Sequence, residues 1–294
     1  MSVVYDRVAL IGLGLIASSM FWAMKRAGLA GEVRGFARSA QTRETARRIG
    51  LCDRVCESLH EAVEDADLVV LCIPVRAMGE VAREIAPFLK PGATLSDVGS
   101  VKRAVIDEIA PYIPNGVHFV PAHPIAGTEY SGPESGFATL FKDRYWIVIP
   151  NGADDADTET FKGFLSATGA IVESMDCDYH DKVLAITSHL PHLIAYTIVG
   201  TAFDLENDLQ NDVIRFSASG FRDFTRIASS DPVMWRDVFM NNSEAVLEML
   251  QRFNEDLSYL QRAIRWQEGD KLEGLFTRTR DIRKRIKDAG QLDD

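Results

Sequence analysis

Cysteine is scarce in this chain: four in 294 residues, at Cys52, Cys56, Cys72 and Cys177. Cys52 and Cys56 have no second pair at metal-site spacing, which argues against a zinc centre. Cys72 lies in an apolar, strand-like run, where a buried thiol is expected. Reduced thiols in the cytoplasm are therefore the expectation. There is no basic start, apolar stretch and cleavage site of a signal peptide. Nor is there an uninterrupted 18-residue apolar run, so no membrane span is expected. Positive charge is also short: 32 Lys and Arg face 43 Asp and Glu, a formal net charge of −11. That balance argues against a nucleic-acid partner and against docking on an anionic membrane. An acidic substrate would need a local cluster of arginine or lysine. Internal repeats and low-complexity segments are absent too. What is there is ordinary: 46% apolar and 26% charged residues, in a chain long enough for two domains and a sizeable core.

Short apolar runs alternate with amphipathic stretches through the first half. The runs are 8–12, 33–36, 68–73, 93–96, 118–120, 146–149 and 170–173. Such alternation predicts an α/β domain with a mainly parallel sheet and helices on both faces. After Cys177 the strand-like runs stop and helical patterns take over. The expected division is 1–176 for a dinucleotide-binding domain and 177–294 for a helical domain. Asp231-Pro232 reads as an N-cap followed by proline in the first turn. Val246, Leu250, Phe253, Leu257, Leu260 and Ile264 recur at spacings of four and three, an a/d seam. The seam fits either internal packing or a subunit interface. The last helix, expected over about 271–289, is basic at 278–287.

Gly12-Leu13-Gly14-Leu15-Ile16-Ala17 follows the first strand and opens a helix. In G-x-G-x-x-A the first glycine makes the turn and the second lets the backbone approach a pyrophosphate. The small third residue permits close helix–strand packing. The helix N-terminus then offers free N–H groups to the phosphates. The second strand ends in Gly35-Phe36-Ala37-Arg38-Ser39, without the acid that usually binds the ribose 2′-hydroxyl of NAD. Arg38 and Ser39 instead suit a 2′-phosphate. NADP is thus slightly favoured over NAD.

Candidate chemical residues come from four segments. Asp97-Val98-Gly99-Ser100-Val101-Lys102 follows a strand at the edge that faces the cofactor crevice, where Ser100 is placed to bond a substrate hydroxyl; capping and a solvated lysine are the plainer reading. His123 precedes Pro124 in a Gly-flanked segment expected to be a loop, and Glu129 lies six residues on. In Ser188-His189-Leu190-Pro191-His192, His189 and His192 share a helical face at i and i+3. No third ligand is evident, so substrate contact is favoured over metal and no metal is expected. Pro191 should loosen the helix locally. Ser219 to Arg226 places Arg222 and Arg226 beside a glycine, and arginine suits bidentate carboxylate binding. Trp235 reads as packing.

Taken in order along nearly the whole chain, these motifs resemble the prephenate/arogenate (cyclohexadienyl) dehydrogenase family of tyrosine biosynthesis. The resemblance implies an N-terminal Rossmann domain and an all-helical C-terminal dimerisation domain, hence a homodimer. It implies oxidative decarboxylation of prephenate or arogenate, with hydride passing from the ring carbon bearing the 4-hydroxyl to NAD(P). Aromatisation drives the loss of CO2. By resemblance, His123 accepts a hydrogen bond from the ring hydroxyl, Ser100 orients that hydroxyl, and His192 lies near substrate. Arg226 binds a substrate carboxylate. Ser188, His189, Glu129, Arg222 and Asp223 form the walls or gate of the pocket. No fused chorismate mutase before the first strand and no regulatory domain after Asp294 are expected. Two alternatives share part of this pattern. A β-hydroxyacid dehydrogenase or imine reductase would be expected to place a catalytic lysine on the first long interdomain helix, where only Lys182 is available. A non-catalytic NADP-binding sensor gives no reason for His123, His192 and Arg226 to occur together.

Overall fold

Val8-Ala9-Leu10-Ile11 and Leu68-Val69-Val70-Leu71 are continuous apolar runs, the signature of strands buried on both faces. In the computed structural model, which describes residues 3–128, 130–152, 155–204, 212 and 215–288, all eight are buried. They belong to β1 (Tyr5–Ile11) and β4 (Leu68–Leu71). With β2 (Ala30–Phe36), β3 (Arg54–Val55), β5 (Thr94–Asp97) and β6 (His118–Phe119) they form a six-stranded sheet in the order 3-2-1-4-5-6. Every pairing in it is parallel. Side chains alternate across it. Val8 and Leu10 pack with Met20 and Phe21 of α1 (Leu15–Ala27), whereas Ala9 and Ile11 pack with Val105 of α5 (Arg103–Ile109) on the other face. The strand order reverses between β1 and β4, and the crevice at their carboxyl ends is where such sheets hold ligands.

A second sheet holds β7 (Ala122–Pro124), β8 (Tyr145–Val148) and β9 (Ile171–Ser174), with β7–β8 antiparallel and β8–β9 parallel. His123 is therefore a strand residue, opposite Ile147, and not the loop residue expected from its neighbours. Pro121 lies between β6 and β7 and has no N–H for the first ladder. The chain leaves one sheet there and joins the other, where the Pro121 carbonyl accepts from Ile149 N–H at 2.9 Å.

The helical part begins with α7 (Cys177–Leu184), a π-helical turn at Ala185–His189 and α8 (Leu190–Phe203). The wide turn precedes Pro191, and Leu190 N–H bonds Ala185 O five residues back. Proline has no N–H to continue the ordinary ladder, and the register shift absorbs that loss. Against expectation, the run Cys177–Phe203 is long and apolar enough, by length and composition, to cross a membrane. Isolated polar residues interrupt its apolar stretches without lowering the mean hydropathy much. Its His180, Asp181 and His189 are buried within the protein.

Next come α9 (Ser219–Thr225), α10 (Pro232–Asn241), α11 (Ser243–Arg265) and α12 (Gly269–Asp288). The described residues divide into two compact units, 1–245 and 246–294. Residue 176 marks a change of secondary structure and not a break in packing: Cys177, Leu184, Trp235 and Val238 join the core that covers one face of the large sheet. Within the second unit, Leu257 and Ile264 of the expected seam are 46% and 64% exposed.

Candidate active site

The cofactor turn has the geometry that its glycines predict. Gly12 has φ +95°, and a Cβ there would meet the Cys72 carbonyl oxygen at 2.3 Å. No other residue fits. A Cβ on Gly14 would meet nothing within 4 Å, so open space lies in front of the turn. Gly14 caps α1 without a side-chain hydrogen bond, and the first helical turn carries no acid. Unsatisfied N–H groups facing open space suit a dinucleotide pyrophosphate. Leu13 and Ala17 are buried in the core, and Leu15 and Ile16 pack against it. Arg38 is exposed, and the Ser39 hydroxyl accepts from Thr42 N–H at 3.3 Å as the N-cap of α2 (Ala40–Arg48).

Across the crevice, the end of β5 carries a buried ion pair, where the local pattern alone suggests capping and a solvated lysine. Lys102 is fully buried and pairs with Asp97. Its Nζ also donates to Ala122 O at 2.8 Å. Asp97 accepts Gly99 N–H at 2.8 Å and Ala122 N–H at 3.3 Å. One clamp thus ties β5, the Ser100 loop and β7, and so fixes His123. Ser100 itself is half-buried.

His123 is buried, with Nδ1 2.9 Å from Nε2 of His180. His180 Nδ1 lies 2.8 Å from Oδ1 of Asp181. Burial pushes His123 well below the ordinary histidine range, aided by the charges of His180, Lys102 and His189. His180 is lowered as well, by burial, against the pull of Asp181. Asp181 is lowered despite its burial, because His180 and the amides of Arg103 and Lys102 donate to it. The sequence reading missed His180 and Asp181. Their only signal was a titratable pair on the apolar stretch that begins at Cys177.

His189 is buried, and Asn242 completes its setting. Asn242 Nδ2 donates to Asp181 O at 2.8 Å and meets His189 Nδ1 at 3.1 Å. His189 Nδ1 is therefore an acceptor, and its proton sits on Nε2, which has no hydrogen-bond partner among the described residues. The Ser100 backbone acts on His189 to raise its pKa, against the stronger pull of burial. His192 Nδ1–H donates to Ser188 O at 2.9 Å, leaving its Nε2 as an acceptor. His192 stacks on Trp235 with centroids 3.6 Å apart, and His189 meets the same ring edge-on at 6.0 Å. Trp235 is packing, as expected, and it joins the two histidines. Burial lowers His192, and the charge of Arg226 adds to that. Arg222 is exposed and lies 3.8 Å from Asp223; nothing among the described residues ties it to the histidines. Glu129 lies outside the described residues. Lys182, the only candidate for a hydroxyacid-dehydrogenase lysine, is exposed.

A pH dependence of stability follows. Burial is the main cause that pulls His189 from 6.5 down to about 4. Between those values the unfolded chain binds a proton that the folded protein does not. Stability therefore falls as pH drops through this window, by about 1.4 kcal/mol per unit for this one group. His123, His180 and His192 act in the same direction. Urea unfolding at pH 5 should show at least about 2 kcal/mol less stability than at pH 7. An unchanged midpoint would contradict the buried neutral histidines.

The sequence model for the prephenate dehydrogenase nucleotide-binding domain matches residues 22–174, and that for the prephenate dehydrogenase dimerization domain matches 176–278. A cyclohexadienyl dehydrogenase of Zymomonas mobilis is 41% identical over 97% of this chain and 97% of its own length. The crystal structure of Aquifex aeolicus prephenate dehydrogenase, in complex with hydroxyphenyl propionate and NAD+, superposes with a TM-score of 0.88 at 30% identity, covering 96% of this chain and 98% of that one. Synechocystis arogenate dehydrogenase gives a TM-score of 0.80 at 25% identity, over 95% and 99%.

Proposed function

This chain belongs to the prephenate dehydrogenase family and is an oxidoreductase, and from that we propose that it oxidatively decarboxylates prephenate, arogenate or both, passing hydride to a nicotinamide dinucleotide. The observation that carries the reading is His123, a buried neutral histidine at the sheet edge whose Nδ1 is occupied by His180. That leaves Nε2 to accept the ring hydroxyl proton. Ser100 orients the hydroxyl, and Arg226 binds a substrate carboxylate. Ser188, His189, His192 and Arg222 serve substrate binding in this reading. Aromatisation of the ring supplies the driving force, so the protein's task is positioning and proton acceptance.

The turn from Gly12 to Ala17 and the start of α1 would hold the dinucleotide, which supplies the hydride acceptor. NADP is the cofactor we favour, because the end of β2 offers the exposed Arg38 and no carboxylate. The functional division we propose is 1–176 for the cofactor and 177–294 for substrate and dimerisation, in a cytoplasmic homodimer. The partly exposed apolar seam of α11 supports the dimer.

The test is reduced-nicotinamide absorbance with prephenate or arogenate against NAD or NADP. Turnover in at least one of the four combinations is expected, with kcat/KM higher for NADP. Arg38→Ala should remove most of that preference. A large excess of kcat/KM with NAD would overturn the cofactor preference, and no turnover in any combination with cofactor binding intact would overturn the reaction.

A further inference from the structure

We propose that His180 and Asp181 act as a positioning pair that locks His123 in its Nδ1–H tautomer and shares the positive charge when Nε2 takes the substrate proton. The inference rests on the catalytic reading of His123 given above. It starts from a chain of three contacts with one consistent set of protons.

Asp181 is the anchor. Its Oδ1 accepts Lys102 N–H at 2.8 Å and its Oδ2 accepts Arg103 N–H at 2.9 Å. A carboxylate that accepts from two backbone amides stays ionised, and an ionised carboxylate is an acceptor only. The His180 nitrogen facing it at 2.8 Å must then carry a proton, at Nδ1. Neutral His180 has a single N–H, so its Nε2 is a bare acceptor. The His123 nitrogen 2.9 Å away must in turn be the donor, Nδ1–H. Neutral His123 is left with its lone pair on Nε2. Two rings and one carboxylate thus select the tautomer able to receive a proton from substrate.

The same contacts suit the charged state. When the hydroxyl proton reaches Nε2, His123 becomes an imidazolium whose Nδ1–H already points at His180 Nε2. That proton moves along the existing hydrogen bond as the charge shifts to His180. His180 then sits as a cation against the Asp181 carboxylate. The two rings together gain the one proton that the substrate hydroxyl gives up, and Asp181 remains ionised throughout. The rings meet edge-on, with centroids 5.2 Å apart and planes at 71°, so the contact is an in-line hydrogen bond and not a stack. Asn242 holds the Asp181 carbonyl and so keeps this turn of helix in register.

The first experiment uses the unmodified protein. Long-range 1H–15N correlation of 15N-histidine-labelled enzyme, with the His123 signals assigned from their loss in His123→Asn, should show His123 as the Nδ1–H tautomer at neutral pH. The Nε2–H tautomer would overturn the proposal without any variant at His180. Steady-state kinetics follow. His180→Leu removes the acceptor and should lower kcat about 100-fold, with KM for substrate and cofactor within about threefold. His180→Gln places an amide oxygen near the Nε2 position and should recover at least about tenfold of that loss. Near-normal kcat in His180→Leu sinks the positioning role while the His123 reading stands. If His123→Asn is itself near normal, the reading beneath both fails. Should His180→Leu not fold, the comparison passes to His180→Gln. There the proposal requires the Nδ1–H tautomer to persist with kcat between wild type and one-hundredth of it, and a swapped tautomer at full activity would refute it.

Discussion

His123→Asn lowers kcat by about 10²- to 10⁴-fold while KM for substrate stays within a few-fold. This is the largest expected effect on activity. A positioned general base contributes a factor of that size, and its contact strengthens as the proton transfers. Asparagine keeps a polar group opposite His180 but has nothing at the Nε2 position to accept a proton. Stability should change little, because the neutral imidazole carries no charge that the core must solvate. Arg226→Ala supplies the contrast, since loss of a carboxylate ligand raises KM more than it lowers kcat. Stopped-flow single-turnover kinetics on His123→Asn separates the chemical step from product release. A near-normal rate of hydride transfer there would remove His123 from the reaction.

Lys102→Met destabilises the protein by about 3–5 kcal/mol, the largest expected effect on stability. Lys102 and Asp97 are both fully buried and pair with each other. Removing the cation strands a carboxylate that also accepts the Gly99 and Ala122 amides. Burial pulls Lys102 below its ordinary pKa, and Asp97 and Asp181 oppose that pull. Asp97→Asn with Lys102→Met should cost less than the sum of the single changes, because the stranded charge is gone while one amide acceptor remains. Guanidinium unfolding measures each variant. A loss below about 1 kcal/mol for Lys102→Met would mean that water or a backbone shift compensates the carboxylate. Because the same clamp fixes β7, any folded Lys102 variant should also lose kcat through His123.

The sequence alone determined the elements with strong local patterns. Seven apolar runs became strands, six of them largely buried, while β9 pairs with β8 although most of its side chains are exposed. The turn at Gly12 was legible because φ +95° against the Cys72 carbonyl tolerates glycine alone. Histidines at 189 and 192 meet one ring, Trp235, as their spacing of three requires. Tertiary structure decided the rest. His123 lies in a strand of a second sheet because Pro121 ends the first ladder, and its pairing partner Ile147, 24 residues away, is invisible to local pattern. Lys102 reads as a surface lysine until Asp97 and the Ala122 carbonyl surround it. His180 and Asp181 carry no local signal of their role, yet His180 meets His123 from 57 residues away and Asp181 backs it. Local sequence fixes backbone shape through sterics and hydrophobic period. Which buried charges and protons meet depends on how the elements pack, because a buried polar group is defined by its partners and these come from elsewhere in the chain.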